Sequence, residues 1–245
     1  MELPFAIPTP DKKKISGTLR PSPEKSEEAI VFVHGLTGHS SEHIFYNAAR
    51  FFPTHGIDTI RFDLYPGGPD GRILPECSIT THANDVNLVL EYFRPKYKKL
   101  HLIGHSLGAV TVLSSKMQLA DSLQLWAPGA SEVIFDPKLP LIQLMKGTEL
   151  YRTCWALEAV IGKEMARQMT LFPPSKVAAK SLCRPTFVAC GDQDAFLGVS
   201  INYHKHCPSE PKAFIEIKGA GHQFNEGDTA LELYEKSLEF IRGLK

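Results

Sequence analysis

Short apolar runs alternate along this chain with longer stretches in which apolar residues recur every third or fourth position. The runs Ala29–His34, Thr59–Asp63, Lys99–Ile103, Leu123–Trp126, Thr186–Cys190 and Ala213–Lys218 read as strands. Most are continuously apolar, as expected of strands covered on both faces. Between them, Ser41–Pro53, Thr81–Phe93, Leu107–Leu119 and Thr229–Ile241 carry helical spacing; in the second, Val86, Val89, Leu90 and Phe93 share a face. Strand–helix alternation predicts an α/β fold, a mostly parallel sheet with helices on both faces. Segments around Phe5–Ile7 and Ile15–Arg20 are expected to add an antiparallel hairpin at one edge. From about 130 to 183 the rhythm breaks in a stretch rich in Leu, Met, Trp and Pro. That stretch reads as a small helical cap inserted in one domain spanning 1–245.

Composition narrows the function classes. At 43% hydrophobic over 245 residues, the chain can bury a substantial core without splitting. Its formal charge is zero, with 27 basic and 27 acidic residues; no basic stripe argues for nucleic acid and no acidic tail for a charged partner. The Lys12-Lys13-Lys14 run reads as a solvated turn between the two N-terminal strands. Five cysteines without C-x-x-C spacing are expected to be free thiols in a reducing compartment. The N-terminal Met1-Glu2-Leu3-Pro4 has no basic-then-apolar leader, and no apolar run reaches membrane-spanning length. The expectation is a cytoplasmic protein without stable membrane insertion. Its oligomeric state stays open.

Chemistry enters at Gly104-His105-Ser106-Leu107-Gly108, directly after the run Leu100-His101-Leu102-Ile103. This is a G-x-S-x-G pattern in a strand-then-helix context, the setting of a nucleophile elbow. A serine hydroxyl must be exposed and activated before it can attack. A tight turn exposes it by straining its backbone, and glycine two positions to either side relieves the crowding. Such an elbow needs a base, an acid to orient it and donors for an oxyanion, with the acid and then the base following the serine along the chain.

Among ten histidines, His222 sits in Gly219-Ala220-Gly221-His222, just past the last expected strand, where an imidazole can reach back over the strand ends. His34 and His105 read as structural groups in tight turns, bonded to nearby backbone. His39/His43 and His204/His206 lack a metal-site companion such as the glutamate of H-E-x-x-H and read as chance pairs. No metal and no cofactor is expected. For the acid, Gly191-Asp192-Gln193-Asp194 offers two aspartates: Asp194 is better placed to reach the histidine, Asp192 to brace the turn. Glu132 is a third, weaker candidate. The N–H of Leu107 opens the elbow helix and supplies one oxyanion donor. The N–H of Leu36, in the glycine-rich His34-Gly35-Leu36-Thr37-Gly38, is the second candidate.

These four motifs together resemble the α/β-hydrolase superfamily, from the first core strand to the last helix. The His-Gly-Leu-Thr-Gly start and the short insertion look most like the cinnamoyl/feruloyl esterases and the monoacylglycerol-lipase and serine-aminopeptidase-like members. Two departures stand out. Many relatives carry Gly-His-Gly-x-Ser where this chain reads Asp63-Leu64-Tyr65-Pro66-Gly67-Gly68-Pro69, and a second glycine often follows the elbow where this chain has Ala109. The resemblance and the residues imply a serine carboxylic ester hydrolase with Ser106, Asp194 and His222 as triad. Its expected substrates are small to medium acyl or aromatic esters. A lipase, thioesterase or peptidase using the same triad is the alternative, and a non-catalytic binding protein of the same fold stays open. Trp126, Phe196, Tyr65 and Trp155 are the candidates for contacting substrate, alongside cap residues such as Leu139, Leu141, Ile142, Leu144 and Tyr151, which at such spacing more often pack a cap onto a sheet.

Overall fold

The computed structural model describes residues 1–65, 68–134, 142–154 and 159–244. Strands β1 (Leu3–Pro8) and β2 (Lys14–Arg20) form the expected hairpin, with Lys12 (φ 66°) and Lys13 in its turn and Lys14 opening β2. Six further strands of the large sheet follow: β3 (Glu28–Val33), β4 (Asp58–Phe62), β5 (Lys99–His105), β6 (Ser122–Trp126), β10 (Thr186–Gly191) and β11 (Lys212–Ile217). The sheet runs β1-β2-β4-β3-β5-β6-β10-β11, parallel throughout except at the hairpin and its junction with β4. This is an α/β-hydrolase arrangement.

Alternation along each strand sorts the core into two layers. In β3, Ala29, Val31 and Val33 face one side and Ile30 and Phe32 the other. The first layer is closed by α2 (Ile79–Phe93) and α3 (Leu107–Ser114), the second by α1 (His43–Phe51) and α8 (Thr229–Gly243). Helix α2 begins at Ile79 because Ser78 and Thr81 cap it reciprocally. Helix α1 ends at Phe51, where Pro53 tightens the chain into a 3-10 turn closed by Gly56. Helix α7 (Leu197–His206) was not anticipated: its sequence has no regular apolar stripe and no side-chain N-cap.

The insertion between β6 and β10 holds α4 (Ser131–Ile134), β7 (Ile142–Leu144), β8 (Leu150–Thr153), β9 (Val160–Gly162), α5 (Lys163–Leu171) and α6 (Ser175–Ala178). The reading of it as helical is corrected in part, since β7, β8 and β9 form a small antiparallel sheet. A turn from Met145 to Leu150, with Gly147 at φ 78°, closes the first pair. The insertion is tied down by Ile161 and Met165 in the core and by Gly162, where a β-carbon would lie 2.1 Å from the Pro75 carbonyl oxygen. Leu139, Leu141 and Trp155 lie outside the described residues, Ile142 and Tyr151 pack against the core, and Leu144 is exposed. Among the described residues no helix is long and apolar enough to cross a membrane, and no cluster of His, Cys, Asp and Glu could hold a metal.

Candidate active site

The chain leaves β3 for β4 on one side and returns to β5 on the other, so the strand order reverses at β3 and β5. In open parallel sheets the crevice beyond the carboxyl ends of such strands is where ligands bind. Ser106 follows β5 at φ 56°, ψ −121°, a backbone conformation that costs an L-residue roughly 1–3 kcal/mol. The strain is locked in by contact. A β-carbon on Gly104 would sit 2.6 Å from the Gly108 carbonyl oxygen, and one on Gly108 only 2.1 Å from that of Val33. The Ser106 N–H donates to the Trp126 carbonyl at 3.0 Å, and its own carbonyl accepts from Ala109 and Gly129.

The imidazole of His222 meets this serine, with Nε2 2.9 Å from Ser106 Oγ and Nδ1 2.8 Å from Asp194 Oδ2. Three side chains separated by up to 116 positions thus form one hydrogen-bonded line. Asp194 is buried, which raises its carboxyl. The hydrogen bond and charge of His222, the Phe196 N–H at 3.0 Å and the Cys190 thiol at 3.5 Å outweigh burial and hold it below the usual carboxylate range. Asp192 faces away, accepting the Gly219 N–H at 2.7 Å, and braces the two loops. Glu132 is engaged elsewhere, accepting the Ser175 N–H at 3.0 Å. The loop carrying His222 is pinned on both sides: Gly221 N–H donates to Glu226, and Gln193 N–H to the Ala220 carbonyl.

His105 explains its place in the elbow. Burial pushes its imidazole down to about 3, so the ring is neutral and its Nε2–H donates to the His222 carbonyl at 2.8 Å. His34 is neutral for the same reason, pushed down to about 4 by burial, and bridges Gly35 and Leu64. Gly35 approaches the serine so closely that a β-carbon would lie 3.0 Å from Ser106 Cβ. Leu36 follows it, and Leu107 opens α3, where first-turn amides have no partner within the helix. His39 precedes the helix that His43 begins, so the pair shares no helical face.

Two of the expected substrate contacts are corrected. Trp126 is fully buried on the α1–α8 side of the sheet, stacked on Phe45, with Nε1–H donating to Gln124. Tyr65 is also buried, its ring against His34 and His82 and its hydroxyl donating to the Gly35 carbonyl at 3.0 Å. Phe196 is half-buried with its ring centroid 4.8 Å from that of His222. Trp155 lies outside the described residues. The Cys190 and Phe196 bonds to Asp194 were missed: short main-chain and thiol contacts within a turn leave no periodicity.

The sequence pattern described as "Alpha/beta hydrolase family" matches residues 30–234. No curated protein matches the chain. Among solved structures, Est1E from Butyrivibrio proteoclasticus with ferulic acid bound superposes with TM-score 0.77 at 18% identity, over 97% of this chain and 99% of that one. The esterase domain of a Rhodothermus marinus protein gives 0.76 at 16%, over 99% and 98%. Mouse alpha/beta hydrolase domain-containing protein 10 gives 0.72 at 15%, over 99% and 100%. At such identities these likenesses speak for the fold alone. The family pattern runs from Ile30, in the first parallel strand, to Tyr234 in the closing helix, and on that extent this chain belongs to the alpha/beta hydrolase family.

Proposed function

We propose that this protein is a serine carboxylic ester hydrolase working through an acyl-enzyme on small to medium acyl or aromatic esters. The observation that carries the reading is the line from Ser106 Oγ through His222 to Asp194, at 2.9 and 2.8 Å, on a strained elbow at the mouth of α3. His222 Nε2 accepts the Ser106 proton as Oγ attacks the ester carbonyl. Asp194 keeps the other ring hydrogen on Nδ1 and stabilises the imidazolium. The N–H groups of Leu36 and Leu107 receive the oxyanion; losing one such donor costs roughly a hundred- to a thousand-fold in rate. On collapse, Nε2–H protonates the leaving alcohol. Water, deprotonated by His222, then attacks the acyl-enzyme, and Ser106 regains its proton.

In this reading residues 1–245 form one catalytic domain, with the insertion of 130–183 as its cap. Phe196, beside His222, is the described aromatic best placed to meet a substrate. Ferulic acid bound to Est1E supports including aromatic acids in the substrate panel. A fluorophosphonate is expected to label one equivalent of protein at Ser106, and an activated ester to give a burst of alcohol before steady turnover. Ser106→Ala should abolish both. Full ester turnover by Ser106→Ala would overturn the reading.

A further inference from the structure

The carbonyl oxygen of Gly35 is gripped by three donors. Tyr65 donates its hydroxyl at 3.0 Å, His34 its Nδ1–H at 2.9 Å, and Gly38 its N–H at 3.3 Å. The His34 tautomer follows from its other nitrogen, since Nε2 accepts the Leu64 N–H at 2.9 Å and the hydrogen must lie on Nδ1. That carbonyl and the N–H of Leu36 belong to one peptide unit. A trans peptide is planar, with its oxygen and hydrogen pointing in opposite directions. Holding the oxygen on the Tyr65 side therefore sends the N–H the other way. The Gly35 α-carbon of the same loop lies against Ser106. Donors on the oxygen also polarise the amide, and hydrogen bonds in series strengthen one another.

We infer that Tyr65 is a positioning residue of the oxyanion site, aiming and polarising the Leu36 N–H through the Gly35 carbonyl. The inference rests on the serine-hydrolase reading above. Two further features fit a fixed donor. The ring is sandwiched, stacked on His82 at 5.4 Å and edge-on to His34 at 5.2 Å. Burial drives the phenol well above its ordinary range, so it keeps its proton at every working pH. Tyr65 comes from the segment that replaces the glycine-rich Gly-His-Gly-x-Ser of many relatives. The rebuilt loop thus contributes to the chemistry from behind the peptide rather than by touching substrate.

The test compares wild type, Tyr65→Phe and protein carrying a fluorinated tyrosine at position 65. The readouts are kcat, KM and the infrared stretch of an isotope-labelled carbonyl in the acyl-enzyme. Tyr65→Phe should lower kcat about tenfold, the worth of one hydrogen bond. KM should hold, and the acyl carbonyl stretch should move to higher wavenumber as its donor weakens. The fluorinated ring keeps the shape but donates more strongly, so the stretch should move the opposite way. That form also decides the matter if Tyr65→Phe does not fold. A fall in melting temperature with kcat and stretch unchanged, or a fluorinated form with an unshifted stretch, would overturn the inference. Absence of any acyl-enzyme at Ser106 in the wild type would instead overturn the reading on which it stands.

Discussion

At the carboxyl edge of the sheet, backbone presses on backbone, whereas the described part of the insertion between β6 and β10, apart from its anchor at Gly162, meets solvent at many of its residues. Gly104, Gly108 and Gly191 each stand where a β-carbon would fall within 2.6 Å of a carbonyl oxygen. In the insertion, Lys163 pairs with Glu149 and Arg167 with Glu164, all with side chains more than half exposed. Placement of Ser106, Asp194 and His222 is thus a matter of steric necessity and short hydrogen bonds. The surface of the insertion answers to much weaker constraints. The difference teaches where function should be fragile and where the sequence is free to vary.

The largest effect that would sharpen this contrast is on turnover. His222→Ala is expected to lower kcat roughly a million-fold, since members of such a line act as a unit. Lys163→Ala, on the exposed face of α5, should leave kcat within a factor of about two. Steady-state kinetics on one activated ester checks both. Comparable losses from the two substitutions would erase the distinction.

The same contrast explains what could be read in the sequence. The elbow was legible because its constraint is local: two glycines, a serine and an apolar strand lie within ten residues. The two partners of the Ser106 line were legible as residues in the loops after strands β10 and β11, although only geometry separates Asp194, bonded to His222, from Asp192, bonded to Gly219. Tyr65 was placed in the right loop and given the wrong neighbour. Its hydroxyl finds a carbonyl thirty positions away, across two loops whose relative position no local pattern encodes. The small sheet of the insertion was hidden for a related reason. Strands of three or four residues, such as β7 and β9, carry too little alternation to stand out from apolar helix.

Acid should expose the contrast next. Burial pushes the imidazoles of His34 and His101 down to about 4 and those of His82 and His105 down to about 3. All four belong to the sheet, its loops or α2, and residues 130–183 contain no histidine. The native state holds these rings neutral, while the unfolded chain protonates them near pH 6.5. Their contribution to stability is therefore complete above about pH 6.5 and is lost progressively until about pH 3. Each ring accounts for at most about 1.4 kcal/mol per pH unit. Glu42 and Asp85, whose carboxyls burial raises, act in the opposite sense and blunt the slope. In the insertion, Arg167 holds Glu164 down to about 2, so its contribution begins to fall only below about pH 4.5. Urea midpoints should fall steadily between pH 7.5 and pH 4.5. A flat profile would mean that the rings titrate in the folded protein.

The smallest effects compare two glycines that differ in what surrounds them. At Gly108 a β-carbon would meet the Val33 carbonyl oxygen at 2.1 Å and that of His34 at 2.7 Å. Neither obstacle is a flexible side chain, so Gly108→Ala must push α3 away from β3 and carry Ser106 with it. The expected cost is about 3 kcal/mol, the upper range for overpacking, and some 10 °C in melting temperature. At Gly147 nothing lies within 4 Å, and the only objection to a side chain is the φ of 78°. Gly147→Ala should cost about 1–2 kcal/mol from that conformation alone. Activity separates the two more sharply than stability does. Below its melting temperature Gly108→Ala should lose most of its kcat, because displacement of Ser106 stretches the 2.9 Å bond to His222. Gly147→Ala should keep its kcat. If Gly147→Ala instead lost turnover in the folded state, the turn of the insertion would be coupled to the serine, and its freedom to vary would be refuted there.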